Sequence, residues 1–223
     1  MIGELDLQRG WVAGELAAEF PQLRLVHCRV PVRPGKSPKV VRERLRYQSD
    51  RFTGSKAVVM RQQPIPHAYR VFFRHVGLDP DEHRTPIETI ALERMRAGHF
   101  RSRNIVDDAL LIATLETSVP VYAFAAERLD GELGIRLSHP GESLGSTGGR
   151  PLSRGQLVIA DQARSLAVLF SDVADGHGVH PSTGEAVLAG VQVKGVPDVS
   201  VEEALWTAAE VLHAEPVRPL EKP

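Results

Sequence analysis

Residues 104–125, NIVDDALLIATLETSVPVYAFA, contain the change from helical to strand patterning that decides the fold class. The stretch from Asn104 to Thr117 has the pattern of a helix, and Asn104 stands where an N-cap would accept the first free N–H groups. From Val119 to Ala125 a short apolar run alternates around Tyr122, which predicts a strand with the tyrosine ring in the core. A helical half therefore passes into a strand half at this point.

Outward from this stretch, most predicted helices lie on the N-terminal side and most predicted strands on the C-terminal side. The helices are Arg9 to Phe20, Pro38 to Phe52 with Ser37 as its cap, Pro66 to Val76, Thr85 to Ala97 and, near the end, Val201 to His213. The strands are Leu23 to Val32, Gly134 to Ser138, Leu157 to Ala160, Leu166 to Phe170 and Ala186 to Val193. This order predicts an α+β fold in which helices cover a mixed β-sheet, with one domain over 1–215 and a frayed tail over 216–223.

Composition limits the classes of protein that remain. The chain has 223 residues, 42% of them hydrophobic, which suffices for a real core. Its single cysteine, Cys28, excludes a disulfide framework and thiolate-rich metal sites and favours a reducing compartment. The N-terminal residues are acidic where a signal peptide is basic, and no apolar run approaches the roughly 20 residues of a membrane span. We therefore expect a cytoplasmic protein without a membrane partner.

Charge is unevenly distributed along the sequence. Residues 33–75 contain eleven lysines and arginines against two acids, whereas residues 104–223 contain eight against seventeen. A polyanion such as RNA would be attracted by a basic face, and the arginines of the predicted second helix are the candidate contacts: Arg42, Arg44, Arg46 and Arg51. The alternative is that these arginines are solvated helix positions without a ligand, since only 5% of the residues are aromatic and available to stack on bases.

Motifs of several enzyme classes are absent from the sequence. It has no P-loop, no GxGxxG between a strand and a helix, no HExxH and no GxSxG. Asp175, His177 and His180 are spaced like metal ligands, but acid–base chemistry or a plain polar turn is the preferred interpretation, and we expect no metal and no cofactor. The glycine-rich segment Gly145 to Gly149 is interpreted as a hairpin turn rather than an anion site.

Several short motifs together resemble the B3/B4 domain of the phenylalanyl-tRNA synthetase β subunit and, more closely, the stand-alone B3/B4 proteins. They occur in order between about Tyr69 and Leu188: HAYRVFFR at 67–74, VGLDP at 76–80, RTPIE at 84–88, RNIVD at 103–107, VPV at 119–121 and LVIAD at 157–161. The resemblance implies a layered B3/B4-type fold with a family core over 66–190 and a basic, variable extension over 1–65. In the synthetase this domain is an editing module that hydrolyses mischarged tRNA.

The resemblance also implies roles for individual residues. Arg103, Asn104 and Asp107 match an RN-x-x-D segment beside the family's pocket, and Thr183 matches a threonine near it. Tyr122 falls within the pocket strand, so these five are the expected substrate-binding residues. Asp175 and His177 fall in the loop that carries a glutamate and a serine in the synthetases, and we expect this pair to orient the hydrolytic water.

Three departures from the family pattern leave the activity open. Tyr122 replaces a histidine, Ala125 an aspartate and Leu110 an asparagine. The loss of an imidazole removes a group whose acid–base help is typically worth about 10²- to 10⁴-fold. The resemblance nevertheless implies a tRNA-binding protein that acts as a trans-acting aminoacyl-tRNA deacylase. The alternatives are a non-catalytic tRNA or amino-acid binding module and a repurposed small-ligand protein; neither a ligase activity of its own nor a DNA partner is expected.

Overall fold

The computed structural model describes residues 3–145 and 148–214. The central part of the predicted Gly145 to Gly149 turn and the predicted frayed tail lie outside the described residues. Within them the helices are α1 Gly14–Glu19, α2 Lys39–Arg51, α3 Gly54–Val59, α4 Pro64–His75, α5 Pro86–Ala97, α6 Ile105–Thr117 and α7 Asp198–Leu212. None of these helices has the length and apolar composition needed to cross a membrane.

The strands form two sheets of four. They are β1 Gln8–Arg9, β2 Trp11–Val12, β3 Arg24–Pro31, β4 Val121–Ala125, β5 Gly134–Leu137, β6 Leu157–Ala160, β7 Ser165–Val168 and β8 Glu185–Gln192. The first sheet has the antiparallel order β1-β3-β8-β4, and the second has the mixed order β2-β5-β6-β7 with β2 parallel to β5. The α+β class is confirmed, and its strands are divided between two sheets where the sequence suggested one large sheet.

Helices α6 and α7 pack beside the first sheet. Helix α7 contacts β8 and β3, α6 contacts α7 and β4, and α2 contacts α6. Gly190 of β8 allows this close approach, because a Cβ atom at that position would stand 2.9 Å from Val201 Cγ1 of α7. Strand β4 is buried along its whole length, so its neighbours α6 and β8 fix the direction of its side chains.

Local chemistry sets the boundaries of α5 as predicted. The backbone N–H and the hydroxyl of Thr85 both donate to the Glu88 carboxylate, at 3.1 and 2.8 Å. Pro86 occupies the first turn, and the helix ends at Gly98 with a left-handed φ of 79°. These are a capping box and a glycine C-cap, and they place the loop that follows α5 at the entrance to α6.

One N-terminal prediction is wrong, and one helix was not predicted. The predicted helix from Arg9 to Phe20 is reduced to α1, because Trp11 and Val12 form strand β2 instead. The backbone N–H of Trp11 donates to Leu133 O at 3.1 Å, so a distant segment completes the backbone hydrogen bonding of this strand. Helix α3 was not predicted, although Thr53 caps it by accepting a hydrogen bond from Lys56 N.

Candidate functional site

A cleft opens where the end of α5, the start of α6, strand β4 and the loop 171–181 meet. It consists of two adjoining cavities of about 680 and 630 Å³. Each has the size that is typical of a small-molecule site, about 300 to 1,000 Å³. Six residues line both cavities: Arg103, Asp107, Leu110, Val121, Tyr122 and Asp172.

Asn104 begins α6 as predicted. Its Oδ1 accepts hydrogen bonds from the N–H groups of Val106 and Asp107 at 3.0 and 2.9 Å, and its Nδ2 donates to Asp107 Oδ2 at 2.9 Å. The Ile105 N–H donates to Gly35 O at 2.9 Å and ties the helix start to the loop before α2. The cap thus holds Asn104 and Asp107 at the wall of the smaller cavity.

Asp108 anchors the neighbouring loops from inside. Its carboxylate is 1% exposed and accepts hydrogen bonds from the hydroxyls of Ser37 and Ser102, both at 2.5 Å, and from the Arg103 N–H at 2.9 Å. Ser37 therefore does not cap α2 as predicted, and that helix begins after Pro38 without a side-chain cap. Because its backbone is fixed by Asp108, Arg103 stands at the boundary of the two cavities.

Tyr122 lies in the buried strand β4 and reaches across to the turn after β7. Its hydroxyl oxygen accepts a hydrogen bond from the Phe170 N–H, and burial raises the pKa of the phenol. Phe170 has a positive φ of 64°, a conformation that non-glycine residues rarely adopt, and its ring packs against Tyr69, Phe72 and Phe73. This anchored turn directs the next residues of the chain toward the cleft.

Asp172 and His180 lie in the cleft but were not predicted as pocket residues, although His180 was considered with Asp175 and His177 as a possible metal ligand. Asp172 lines both cavities, and His180 lines the smaller one. The loop that carries them is attached to the end of β4, since the Ala125 N–H donates to His177 O at 2.9 Å and Phe124 bridges to Gly178. A polar residue just after the predicted strand Leu166 to Phe170 was the available signal for Asp172.

Asp175 and His177 do not line the cleft. Asp175 is exposed, whereas His177 is 7% exposed, with its Nδ1 3.2 Å from Asp175 O. The His177 ring packs over Gly145, where a Cβ would stand 3.4 Å from ring atoms. The structure brings Arg103, Asn104, Asp107 and Tyr122 to one cleft, whereas neither Asp175 nor His177 lines either cavity.

Thr183 supports the loop from behind. Its side chain is buried, its hydroxyl donates to Glu127 Oε1 at 3.1 Å and accepts from the His180 N–H at 3.1 Å. His180 Nε2 lies 3.0 Å from the same Glu127 oxygen without hydrogen-bond geometry, and its Nδ1 lies 3.0 Å from Ser182 Oγ. Hydrogen bonds, first from its own backbone N–H and then from Thr183, lower the pKa of Glu127. Thr183 therefore positions His180 and is not part of the cavity lining.

Among the described residues, no group of three or more histidine, cysteine or acidic side chains is placed to share a metal ion.

Arg44 of α2 is committed to ion pairs within the protein. Its guanidinium group binds both carboxylate oxygens of Glu116 on α6, at 2.9 and 2.6 Å, and Glu210 on α7 at 2.8 Å. Bidentate pairing of this kind has defined geometry and leaves few donors for a ligand. Arg44 therefore holds three helices together.

The other three arginines of α2 are exposed. Arg42 donates to Ser37 O at 2.9 Å, and Arg51 donates to the Tyr47 hydroxyl at 2.7 Å and lies over its ring. Arg46 makes no hydrogen bond or ion pair with any residue in the described ranges. This helix surface is thus only partly available to an anion.

Part of the basic segment's charge is neutralised by acids from elsewhere in the chain. Arg70 is buried and pairs with Glu88 at 2.6 Å and with Asp81 at 2.7 Å, while Arg61 pairs with Glu88 at 3.1 Å. In the folded structure the positive charge of residues 33–75 is therefore partly neutralised, and the charge asymmetry is smaller than the sequence suggests.

Comparison with known proteins identifies phenylalanine–tRNA ligase beta subunits among the relatives of this chain. No family model matches the chain. It is 35% identical to the phenylalanine–tRNA ligase beta subunit of Legionella pneumophila (strain Lens) over 117 residues, 52% of this chain and 14% of that protein. The corresponding subunits of Nitrosococcus oceani and Xanthomonas axonopodis pv. citri are 37% and 33% identical over 41% of the chain, or 12% of each relative. The resemblance indicated by the motifs is confirmed, and the matched stretch covers only a small part of each relative.

Proposed function

We propose that this protein binds aminoacyl-tRNA and hydrolyses the ester between the amino acid and the terminal ribose. The relatives bear the name of a ligase for phenylalanine and tRNA, which supports a tRNA-related role. The observation that carries the proposal is the convergence of Arg103, Asn104, Asp107, Tyr122 and Asp172 on one cleft. Three of these residues match the RN-x-x-D motif, Tyr122 stands where the family pattern has a histidine, and Asp172 follows the anchored turn after β7.

The cleft offers a complement to each part of an aminoacyl ester. Such an ester has a cationic ammonium group, a polar ester and an amino-acid side chain, and it is attached to an anionic RNA backbone. The carboxylates of Asp107 and Asp172 suit the ammonium group and the attacking water. Leu110 and Val121 provide an apolar wall for the amino-acid side chain, and Arg103 provides a cation at the boundary of the cavities.

Hydrolysis in this cleft requires a positioned water and a proton acceptor. The water oxygen bonds to the ester carbonyl carbon while a carboxylate accepts its proton, and the bond to the ribose oxygen breaks as that oxygen is protonated. The products are the free amino acid and uncharged tRNA. We assign the carboxylate role to Asp172, because the Asp107 carboxylate already accepts a hydrogen bond from Asn104. Tyr122 has a raised pKa and is a neutral hydrogen-bonding group at pH 7.

One observation favours a second function, a binding module without catalysis. Both ring nitrogens of His180, which lines the smaller cavity, face other protein groups: Nδ1 faces Ser182 and Nε2 faces Glu127. An imidazole in this arrangement is held in place and is not directed at a ligand in the cavity. A protein of this kind would bind aminoacyl-tRNA and leave the ester intact.

A panel of aminoacyl-tRNAs tests the proposal. Each is incubated with the protein, and ester loss and bound fraction are measured together. Ester loss above the spontaneous rate for at least one aminoacyl group supports the deacylase. Binding with only spontaneous ester loss supports the binding module, and the absence of binding to every member contradicts both.

A further inference from the structure

A second arginine cluster lies outside the basic segment that the sequence interpretation considered. Residues 94–103, RMRAGHFRSR, contain four arginines and one histidine and no acid. The segment runs from the end of α5 to the residue before the Asn104 cap of α6. All four arginines and His99 line the larger cavity of the cleft. A contiguous cationic segment therefore borders the site.

Three of the four arginines are available to a ligand. Arg96, Arg101 and Arg103 are exposed, and their guanidinium groups make no hydrogen bond or ion pair with residues in the ranges 3–145 and 148–214. Arg94 differs, because it donates to Ser49 O at 2.9 Å and lies over the Phe100 ring. We call Arg96, Arg101 and Arg103 the arginine rim.

The backbone at the start of α6 offers no competing anion site. Ile105 N donates to Gly35 O, and the N–H groups of Val106 and Asp107 donate to the Asn104 side chain. The Asp108 N–H donates to Asn104 O at 2.9 Å. The three N–H groups of the first turn of α6, those of Ile105, Val106 and Asp107, are thus occupied, and the Asp108 N–H makes the first hydrogen bond within the helix. The exposed guanidinium groups are therefore the main donors for an anion at this end of the cleft.

The cleft separates charge in the way an aminoacyl-tRNA needs. The carboxylates of Asp107 and Asp172 line the boundary between the cavities, whereas the exposed guanidinium groups border the larger one. Guanidinium groups match phosphate oxygens in shape and charge, and they remain protonated throughout the physiological range. A cationic amino acid end therefore suits the carboxylates, and an anionic backbone suits the rim.

We propose that Arg96, Arg101 and Arg103 bind the phosphates of the RNA backbone next to the aminoacyl end and so form the RNA entrance of the cleft. This inference rests on the proposed function and assigns its RNA contacts to the rim, in place of α2. Helix α2 is the rival surface, and its two most available arginines are Arg42 and Arg46.

Binding of uncharged tRNA over 50 to 200 mM salt tests the assignment. Three double variants are compared with the wild type: Arg96→Ala/Arg101→Ala on the rim, Arg42→Ala/Arg46→Ala on α2, and Arg150→Ala/Arg154→Ala as a control with the same charge change at exposed positions. The rim variant should bind about tenfold or more weakly, with a salt slope reduced by roughly 1.4 to 1.8, because each phosphate contact contributes about 0.7 on a single strand and about 0.9 on a duplex. The other two variants should bind within about twofold of the wild type.

Each alternative result has a definite meaning. A larger loss for the α2 variant than for the rim variant overturns the rim and assigns RNA binding to α2. Equal losses in all three variants overturn it by showing that only net charge matters. If the wild type binds no tRNA at 50 mM salt, both the rim assignment and the proposed function are overturned. If the wild type binds tRNA and none of the variants binds more weakly, only the rim assignment is overturned. Unfolding midpoints near the wild-type value confirm that each variant is folded.

Discussion

The hydroxyl oxygen of Tyr122 accepts a hydrogen bond from the backbone N–H of Phe170, 48 residues further along the chain. This bond joins strand β4 to the turn after β7, where Phe170 has a positive φ of 64°. Asp172 follows two residues later and lines both cavities of the cleft. The phenol therefore fixes the position of a carboxylate that lies outside its own strand.

Tyr122→Phe should lower stability and also slow ester hydrolysis. The substitution leaves the Phe170 N–H without its acceptor, which costs about 1 to 3 kcal/mol for a buried group. The turn then loses its anchor, and Asp172 is less well positioned. Urea unfolding gives the stability, and single-turnover ester loss gives the rate.

Tyr69→Phe is the matched control for this effect. Tyr69 is also fully buried, and its hydroxyl donates to Val191 O at 2.7 Å, away from the cleft. A similar loss of stability with an unchanged rate is expected. Equal loss of rate in both variants would mean that Tyr122 acts only through overall stability.

Asp108→Asn should destabilise the protein strongly. An amide cannot accept the three hydrogen bonds that the buried carboxylate receives, and the loss should reach about 3 kcal/mol, since hydrogen bonds to charged groups are worth roughly 1.5 to 3 kcal/mol each. Asp107→Asn, at an exposed position in the first turn of the same helix, should cost less than about 1 kcal/mol. Denaturant unfolding measures the difference in stability between the two variants. Equal losses of stability would contradict the anchoring role of Asp108.

Arg44→Ala should affect stability rather than RNA binding. Removing the ion pairs to Glu116 and Glu210 should cost about 1 kcal/mol, the upper range for partly exposed pairs. Arg46→Ala on the same helix should leave the thermal midpoint nearly unchanged. The opposite order of midpoints, or a loss of tRNA affinity in Arg44→Ala at unchanged stability, would contradict the structural role.

Glu142 should make a defined contribution to acid stability. Hydrogen bonds, first from Arg136, lower the pKa of Glu142 from 4.5 to about 2. A carboxylate with a lowered folded pKa contributes stability that is fully present above about pH 4.5 and is lost as the pH falls from there to about 2. Glu142→Gln should thus be less stable than the wild type at pH 7, and the difference should narrow below pH 4.5. A difference that stays constant down to pH 2 would contradict the pairing with Arg136.

Elements with local signals were predictable from the sequence. The Asn104 cap, the box formed by Thr85 and Glu88, and the glycine at 98 each act within a few residues, so α5 and α6 have their predicted limits. The local spacing of apolar residues placed Trp11 in a helix. It forms a strand instead, because its backbone pairs with Leu133, more than a hundred residues away. Pairing of that kind leaves no trace in local periodicity.

The cleft was predictable in the part that the family resemblance covers, namely the RN-x-x-D motif and Tyr122 of the pocket strand. Asp172 reaches the cavity because Phe170 adopts a left-handed backbone conformation. Non-glycine residues rarely adopt this conformation, so the sequence gives no signal for it. Similarly, the charge of residues 33–75 was counted without Glu116 and Glu210, which neutralise Arg44 from distant helices. Both differences arise from tertiary contacts.

The rate of ester loss from a bound aminoacyl-tRNA tests the central claim most directly. With protein in excess over the aminoacyl-tRNA preferred in the panel, the wild type should hydrolyse the ester at least about tenfold faster than the spontaneous reaction. Asp172→Asn should lose about tenfold or more of that rate with an unchanged bound fraction, whereas Asp175→Ala, altered outside the cleft, should stay within about twofold of the wild type. A wild type that binds the aminoacyl-tRNA and leaves the ester at its spontaneous rate would contradict the hydrolytic function, and a rate that depends on Asp175 but not on Asp172 would contradict the assignment of the site.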